Sequence, residues 1–187
     1  MKNLRMLYVH FDNAINDHEI LLFRGAVNAA LTENHSILFH NHKDDGFRYS
    51  YPLIQYKTDN KKALIVCIED GAEAFCDFFN ASERVFHLGN KSVRFTIEDV
   101  KAVNFKLQMD ETLHKYKLQN WLPFNNENHK RYQEFKSIID RVSFIERILV
   151  GNILSFFKGM NIFTNDTIEC HITEIQKKDT VRYKGLK

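Results

Sequence analysis

Six consecutive apolar residues, ALIVCI at 63–68, form a run too short for a stable helix. They read as a strand that is apolar on both faces. The neighbouring patterns fix what such a strand can join. Residues 4–11 form a short apolar strand. After Asp17, a candidate N-cap, Ile20, Phe23, Val27 and Leu31 recur at helical spacing and predict an amphipathic helix over 18–31. Phe47–Tyr56 reads as a strand with Phe47, Tyr49, Tyr51 and Leu53 on one face. Pro52 cannot donate to a ladder, so an edge or a bulge is expected there. Asp59-Asn60 supplies a turn into ALIVCI, and Ala72, Phe75, Cys76 and Phe79 mark a second short helix. RVFHL and SVRFTI, joined at Gly89-Asn90, make a hairpin. The order over 1–97 is β-α-β-β-α-β, that of a ferredoxin-like unit with two helices on one face of a four-stranded antiparallel sheet.

Beyond it, Val103, Phe105, Leu107 and Met109 alternate with polar residues as a half-exposed strand. The loop LQNWLPFNNEN leads into a long helical region. Its apolar stripe runs through Tyr132, Phe135, Ile138, Ile139, Val142, Ile145, Leu149 and Ile153, with Gly151 as a candidate interruption. Strands at 167–175 and 180–184 close the chain. The expected class is α+β: tandem ferredoxin-like (RRM-like) units, the second abbreviated and helix-rich, with domains at 1–98 and 99–187.

Composition excludes other classes. An apolar share of 44%, with 16 Phe, 7 Tyr and 1 Trp in 187 residues, is ample for a packed core. The net charge of +2 is unevenly spread. Residues 1–100 carry 11 Lys+Arg against 14 Asp+Glu, a balance of −3, and residues 101–187 carry 15 against 10, a balance of +5. A basic second half suits a polyanion, and also suits an ordinary surface. Cys67, Cys76 and Cys170 are an odd count without CxxC spacing, as in packing roles in a reducing compartment. The most apolar stretch, IERILVGNILSFFKGM, is broken by Glu146, Arg147 and Lys158, so a soluble, cytoplasmic chain is expected.

The chemistry-bearing feature is FHNH at 39–42. Side chains two apart on extended backbone share a face at roughly 7 Å. Imidazole alone exchanges a proton near neutral pH, so two rings can serve as base and acid about one phosphate. RNA brings its own nucleophile, the 2′-hydroxyl beside the 3′-phosphate. The spacing leaves two other readings open. Surface-loop histidines give the same letters, and HxH can supply two zinc ligands if His35, His10 or Asp44 provides a third. The letters are not the motif of the metal-dependent H-N-H nucleases, whose residues are well separated.

The stretch FHNHKDDGFRYSYPLIQYKTDNKKALIVCIEDGAEA resembles the N-terminal region of CRISPR-associated endoribonucleases that cut repeat RNA, within the repeat-associated (RAMP) superfamily. The most similar branch carries His-Asn-His after the first helix, followed by an Arg-Tyr-Pro-Leu-Ile-Gln-Tyr-Lys run. That run stands here as RYSYPLIQYK, with two extra residues. Tyr116, Leu118, Trp121-Leu122-Pro123, Asn128 and GNILSFFKGMNIF at 151–163 are similar to the branch's C-terminal half. One departure is that the superfamily's glycine-rich loop is represented only by Gly151 and Gly159.

The resemblance implies a metal-independent cut of precursor CRISPR RNA within each repeat, with no cofactor. The 2′-hydroxyl would attack, giving a 2′,3′-cyclic phosphate and a 5′-hydroxyl. It implies His42 as principal acid/base and His40 as its partner. Tyr49 would assist orientation, or be a sheet-face aromatic of the core. Lys57 is a phosphate-facing residue or a solvated strand end. RNA contacts would fall to Lys130, Arg131, Arg141, Arg147 and Lys158, with Lys177 and Lys178, each of which reads equally as solvated surface. Trp121 is a base-stacking or loop-anchoring residue. Repeat RNA is the implied partner, with a CRISPR effector complex or a second copy of the chain as further candidates. A non-catalytic repeat-RNA-binding subunit and a small HxH metalloenzyme are the alternatives.

Overall fold

In a computed structural model the chain forms β1 (Lys2–Ala14), α1 (Ile20–Ala30), β2 (His42–Lys43), β3 (Gly46–Phe47), β4 (Ile54–Asp59), β5 (Lys62–Ile68) and α2 (Asp70–Phe79). These are followed by β6 (Val85–Leu88), β7 (Lys91–Arg94), β8 (Ile97–Leu107), α3 (Asn126–Glu134) and α4 (Ile138–Gly159). The structure describes residues 2–30, 42–43, 46–47, 51–79, 85–108, 110–119 and 121–176, with backbone alone at 30, 42–43, 46–47 and 76–79. Two compact units result. One comprises Met1–Thr112 with Ser155–Phe163, the other Leu113–Leu154 with Thr164–Lys187.

The first unit is built on a sheet of order β4-β5-β1-β8 in which every neighbour is antiparallel. With α1 and α2 as crossovers this is the ferredoxin-like arrangement. The ALIVCI run explains itself there. Ala63, Ile65 and Cys67 join Val9, Phe11, Phe23, Val27 and Phe75 in one core layer. Leu64, Val66 and Ile68 join Leu4 and Met160 in another, packed with Phe156, Phe157 and Ile162. The sheet face away from α1 and α2 is thus covered by the end of α4 and the turn after it. The Lys2 ammonium ties that turn down by donating to the Met160 carbonyl at 2.6 Å. Each fully buried Ile, Phe or Met of these layers contributes about 1.5–3 kcal/mol relative to exposure.

Several local expectations are corrected. The strand expected over 47–56 is two pieces. Gly46–Phe47 pairs with β2, and the sheet strand starts only at Ile54. Pro52, which has no N–H to offer, lies just before it, and β4 is an edge of the sheet. The hairpin of RVFHL and SVRFTI closes on itself as β6–β7, with Gly89 at φ +60°. It is a separate sheet, and the fourth strand is β8. The passage from β7 to β8 is held against β1 by Asn13. Its amide donates to the Arg94 carbonyl and accepts from the Thr96 N–H, both at 2.9 Å. Phe95 meanwhile packs into the core, 4.8 Å from Phe23 and 5.3 Å from Phe86 between ring centroids. The half-exposed strand read at 103–109 is the second part of β8, which ends at Leu107.

The first helix is entered through a 3-10 turn, Asp17–Glu19, capped by Asn16 rather than Asp17. The Asn16 N–H donates to the Glu19 carboxylate at 2.9 Å. Asp17 instead accepts from the Thr58 hydroxyl at 2.6 Å. The β4–β5 turn lies one residue later than expected, at Asn60 and Lys61, with φ +48° and +63° as a type I′ turn requires.

In the second unit, Asn125 caps α3 by accepting from the Asn128 N–H at 2.7 Å. The expected single helical region breaks at Phe135–Ser137, not at Gly151. Phe135 is extended, and Ser137 restarts the helix, its carbonyl accepting from Arg141 N–H and its hydroxyl from Ile139 N–H. The apolar stripe is not one buried face. Ile138 and Ile139 are exposed, whereas Phe144 and Ile145 are buried. Among the described residues of this unit no strand forms. The stretch 167–175 is irregular, and its expected partner 180–184 lies outside the described residues. The chain is α+β, in keeping with tandem ferredoxin-like units of which the second is helix-rich.

Candidate functional site

The backbone of His42 lies on β2, opposite Phe47, with Lys43 opposite Gly46. The second histidine of the motif therefore stands on a short strand paired antiparallel with β3, between α1 and β4 in the chain. His40, Tyr49, His35 and Asp44 lie outside the described residues. Both flanks of this segment are anchored in the first unit. Upstream, Phe23 and Val27 of α1 are fully buried. Downstream, Tyr51 packs edge-on against Phe156 with ring centroids 4.7 Å apart, and the Leu53 carbonyl accepts from the Ile68 N–H at 2.8 Å. Two glycines make room for that path. A Cβ on Gly71 would lie 2.7 Å from the Leu53 carbonyl oxygen, and one on Gly159 would lie 3.1 Å from Tyr51 Cβ. Gly151 and Gly159, the residue pair standing where a glycine-rich loop was sought, are both helical in α4.

His10 is placed elsewhere, at a register break of β1. Its Nε2 is 3.6 Å from Asp59 and its Nδ1 is 3.8 Å from Asp99, so the two carboxylates flank opposite ring nitrogens. Nδ1 is buried without a hydrogen-bond partner. Among the described residues no group of three His, Cys, Asp or Glu is arranged to hold a metal ion. Cys67 packs in the core, and burial together with Glu146 pushes the Cys170 thiol up. Lys57 is exposed on edge strand β4.

The expected RNA-contacting cations divide between the units. Lys158 is exposed near the end of α4, in the first. In the second, three of them converge on aromatic rings. The guanidinium of Arg131 lies 5.3 Å from the Phe144 centroid and that of Arg147 lies 5.9 Å from the same ring. Arg141 lies 5.3 Å from the Tyr132 ring and donates its Nε–H to the Phe135 carbonyl at 2.8 Å. Tyr132 in turn packs against Phe124 with centroids 4.7 Å apart, and Phe135 against Phe144 at 5.3 Å, both pairs tilted. Lys130 is exposed beside Arg131. Among the described residues no carboxylate lies within ion-pair distance of these three arginines. A guanidinium held over a ring face is attracted by the ring and still has N–H donors to offer a phosphate.

Sequence reading missed Phe144 as the hub. The signal was present, because Phe144 and Arg147 are one helical turn apart. Trp121 is half-buried in its loop. No helix among the described residues is long and apolar enough to cross a membrane.

Residues 2–106 match the family model of the Cas6b N-terminal domain, and residues 108–187 match that of the Cas6b C-terminal domain. The join between the matches falls at the end of β8. Among solved structures, the chain is similar to one reported as the crystal structure of Cas6b. The TM-score is 0.70 and the identity 24%, covering 89% of this chain and 76% of that one. A second, the crystal structure of CRISPR RNA processing endoribonuclease Cas6b, gives a TM-score of 0.50 and 20% identity over 89% of this chain and 73% of the other. At these identities the likeness establishes the fold. No curated protein matches the chain in sequence.

Proposed function

This chain belongs to the Cas6b family, whose two domain models it matches in order, and from that premise we propose that it is a cytoplasmic endoribonuclease cutting precursor CRISPR RNA within its repeats. One observation carries the reading: His42 stands on β2, paired with β3, in the segment between α1 and β4, and the described flanks of that segment are packed into the first unit. An anchored general base or acid can be held within hydrogen-bond reach of a 2′-hydroxyl or a departing 5′-oxygen. Attack by the neighbouring 2′-hydroxyl breaks the P–O5′ bond without a second nucleophile. The products are a 2′,3′-cyclic phosphate and a 5′-hydroxyl. His42 is the principal acid/base, His40 its partner, and Tyr49 an orienting group. Lys130, Arg131, Arg141, Arg147 and Lys158 bind the polyanion, three of them through guanidiniums placed over aromatic rings.

The test is direct. Purified protein is incubated with RNA containing two repeats, and the fragments are resolved by length and end chemistry. One cut per repeat, with 3′ ends that resist phosphatase until acid opens them, agrees with the reading. Tight, salt-sensitive repeat binding without scission identifies a binding subunit instead.

A further inference from the structure

The segment 113–118, LHKYKL, opens the second unit with no helix or ladder to occupy it. Its side chains are turned out. Tyr116 is 84% exposed, Leu113 82% and Leu118 54%. Lys115 and Lys117 are exposed as well. The rings of His114 and Tyr116 lie 6.4 Å apart at an angle of 45°. From Thr112 to Asn126 the chain carries no Asp or Glu, while Lys115, Lys117 and His114 fall within it. Large exposed apolar groups on a folded surface mark a contact surface when they cluster. Here they alternate with cations on a carboxylate-free stretch. That is the composition of a platform for single-stranded nucleic acid, in which rings stack on bases and ammonium groups follow the backbone.

We infer that residues 113–118 form a base-stacking strip for single-stranded repeat RNA, with Tyr116 taking a base face and Lys115 and Lys117 contacting flanking phosphates. The inference rests on the proposed RNA substrate and names the substrate's form at this place: an unpaired stretch rather than a duplex, whose bases are already stacked within the helix and present no open face. Hydrogen bonding to base edges plays no part, so the strip tolerates any base and contributes affinity rather than sequence choice.

The experiment uses the full chain with two fluorescent RNA probes, a repeat oligonucleotide and the same oligonucleotide annealed to its complement. Both are titrated across salt concentrations. Tyr116→Ala is expected to weaken single-strand binding by roughly 5- to 150-fold with the salt slope unchanged, leaving duplex binding unaltered. Tyr116→Phe should retain binding. Lys115→Ala should lower the salt slope by about 0.7. Single-strand binding by Tyr116→Ala within twofold of the parent overturns the inference, as does equal loss on both probes or failure of Tyr116→Phe. So does conversion of a dimer to a monomer by Tyr116→Ala with RNA binding intact, which would make the strip a protein contact. A parent that binds the probe and never cuts it contradicts the nuclease reading while leaving the strip to its own test. A parent that binds neither probe contradicts both.

Discussion

Arg131 and Arg147, sixteen positions apart, place their guanidiniums 5.3 and 5.9 Å from the centroid of one ring, that of Phe144. A single buried aromatic thus orients two charges toward solvent. Replacing either arginine by alanine is expected to weaken repeat-RNA binding by about tenfold and to lower the salt slope by about 0.7 per residue. Arg→Lys should keep the slope but not the affinity, because an ammonium cannot lie on the ring and present a two-pronged edge. Titration of RNA at several salt concentrations reads both quantities.

Lys61 takes φ +63° in the β4–β5 turn, a conformation that costs a side-chain-bearing residue about 1–2 kcal/mol. Glycine is free of that cost but loses more chain entropy on folding, so Lys61→Gly should stabilise the first unit by about 0.5–1 kcal/mol. Chemical denaturation measures it as a higher midpoint at an unchanged m-value.

Glu19 is held below the usual carboxylate range, first by the backbone N–H of Asn16 and then by that residue's side chain. A lowered folded value means the cap's contribution is fully present above the ordinary glutamate value of about 4.3 and is lost as pH falls through the lower folded value. The melting temperature of the parent should therefore exceed that of Glu19→Gln by a constant margin from pH 5 to 7. The margin should close as the solution is acidified toward pH 3.

His42→Ala should slow repeat cleavage by roughly 10²- to 10⁴-fold with RNA affinity kept, the span expected for loss of one general acid or base. His40→Ala should cost less, and the double variant most. Single-turnover rates with protein in excess separate this from any change in binding.

Much of the first unit was legible because its signals are local. ALIVCI announced a strand buried on two faces, and Asn60 and Gly89 marked tight turns. What covers the second face was not legible. Phe156, Phe157 and Met160 sit some ninety residues beyond β5 in the chain, and helical periodicity does not say which surface a helix end will meet. The fourth strand was misplaced because SVRFTI and VNFKL both alternate. Long-range bonds of Asn13 to Arg94 and Thr96, and of Asp12 to Thr96, mark where one ladder stops and the next begins, and periodicity does not show them. For the histidines, sequence gave their adjacency and the structure adds the short paired strand that carries His42. The arginine cluster was found as scattered charges, since the ring that gathers two of them is buried and reads as core.

The central claim is that the RNA's own 2′-hydroxyl is the nucleophile, with histidine moving the proton. It is tested most directly by cleavage of repeat RNA bearing one 2′-deoxy nucleotide at the cut site, in the presence of EDTA. The account predicts full cleavage of the all-ribose RNA in EDTA and none at the deoxy position. Scission at the deoxy position, or loss of all cleavage in EDTA, would contradict it.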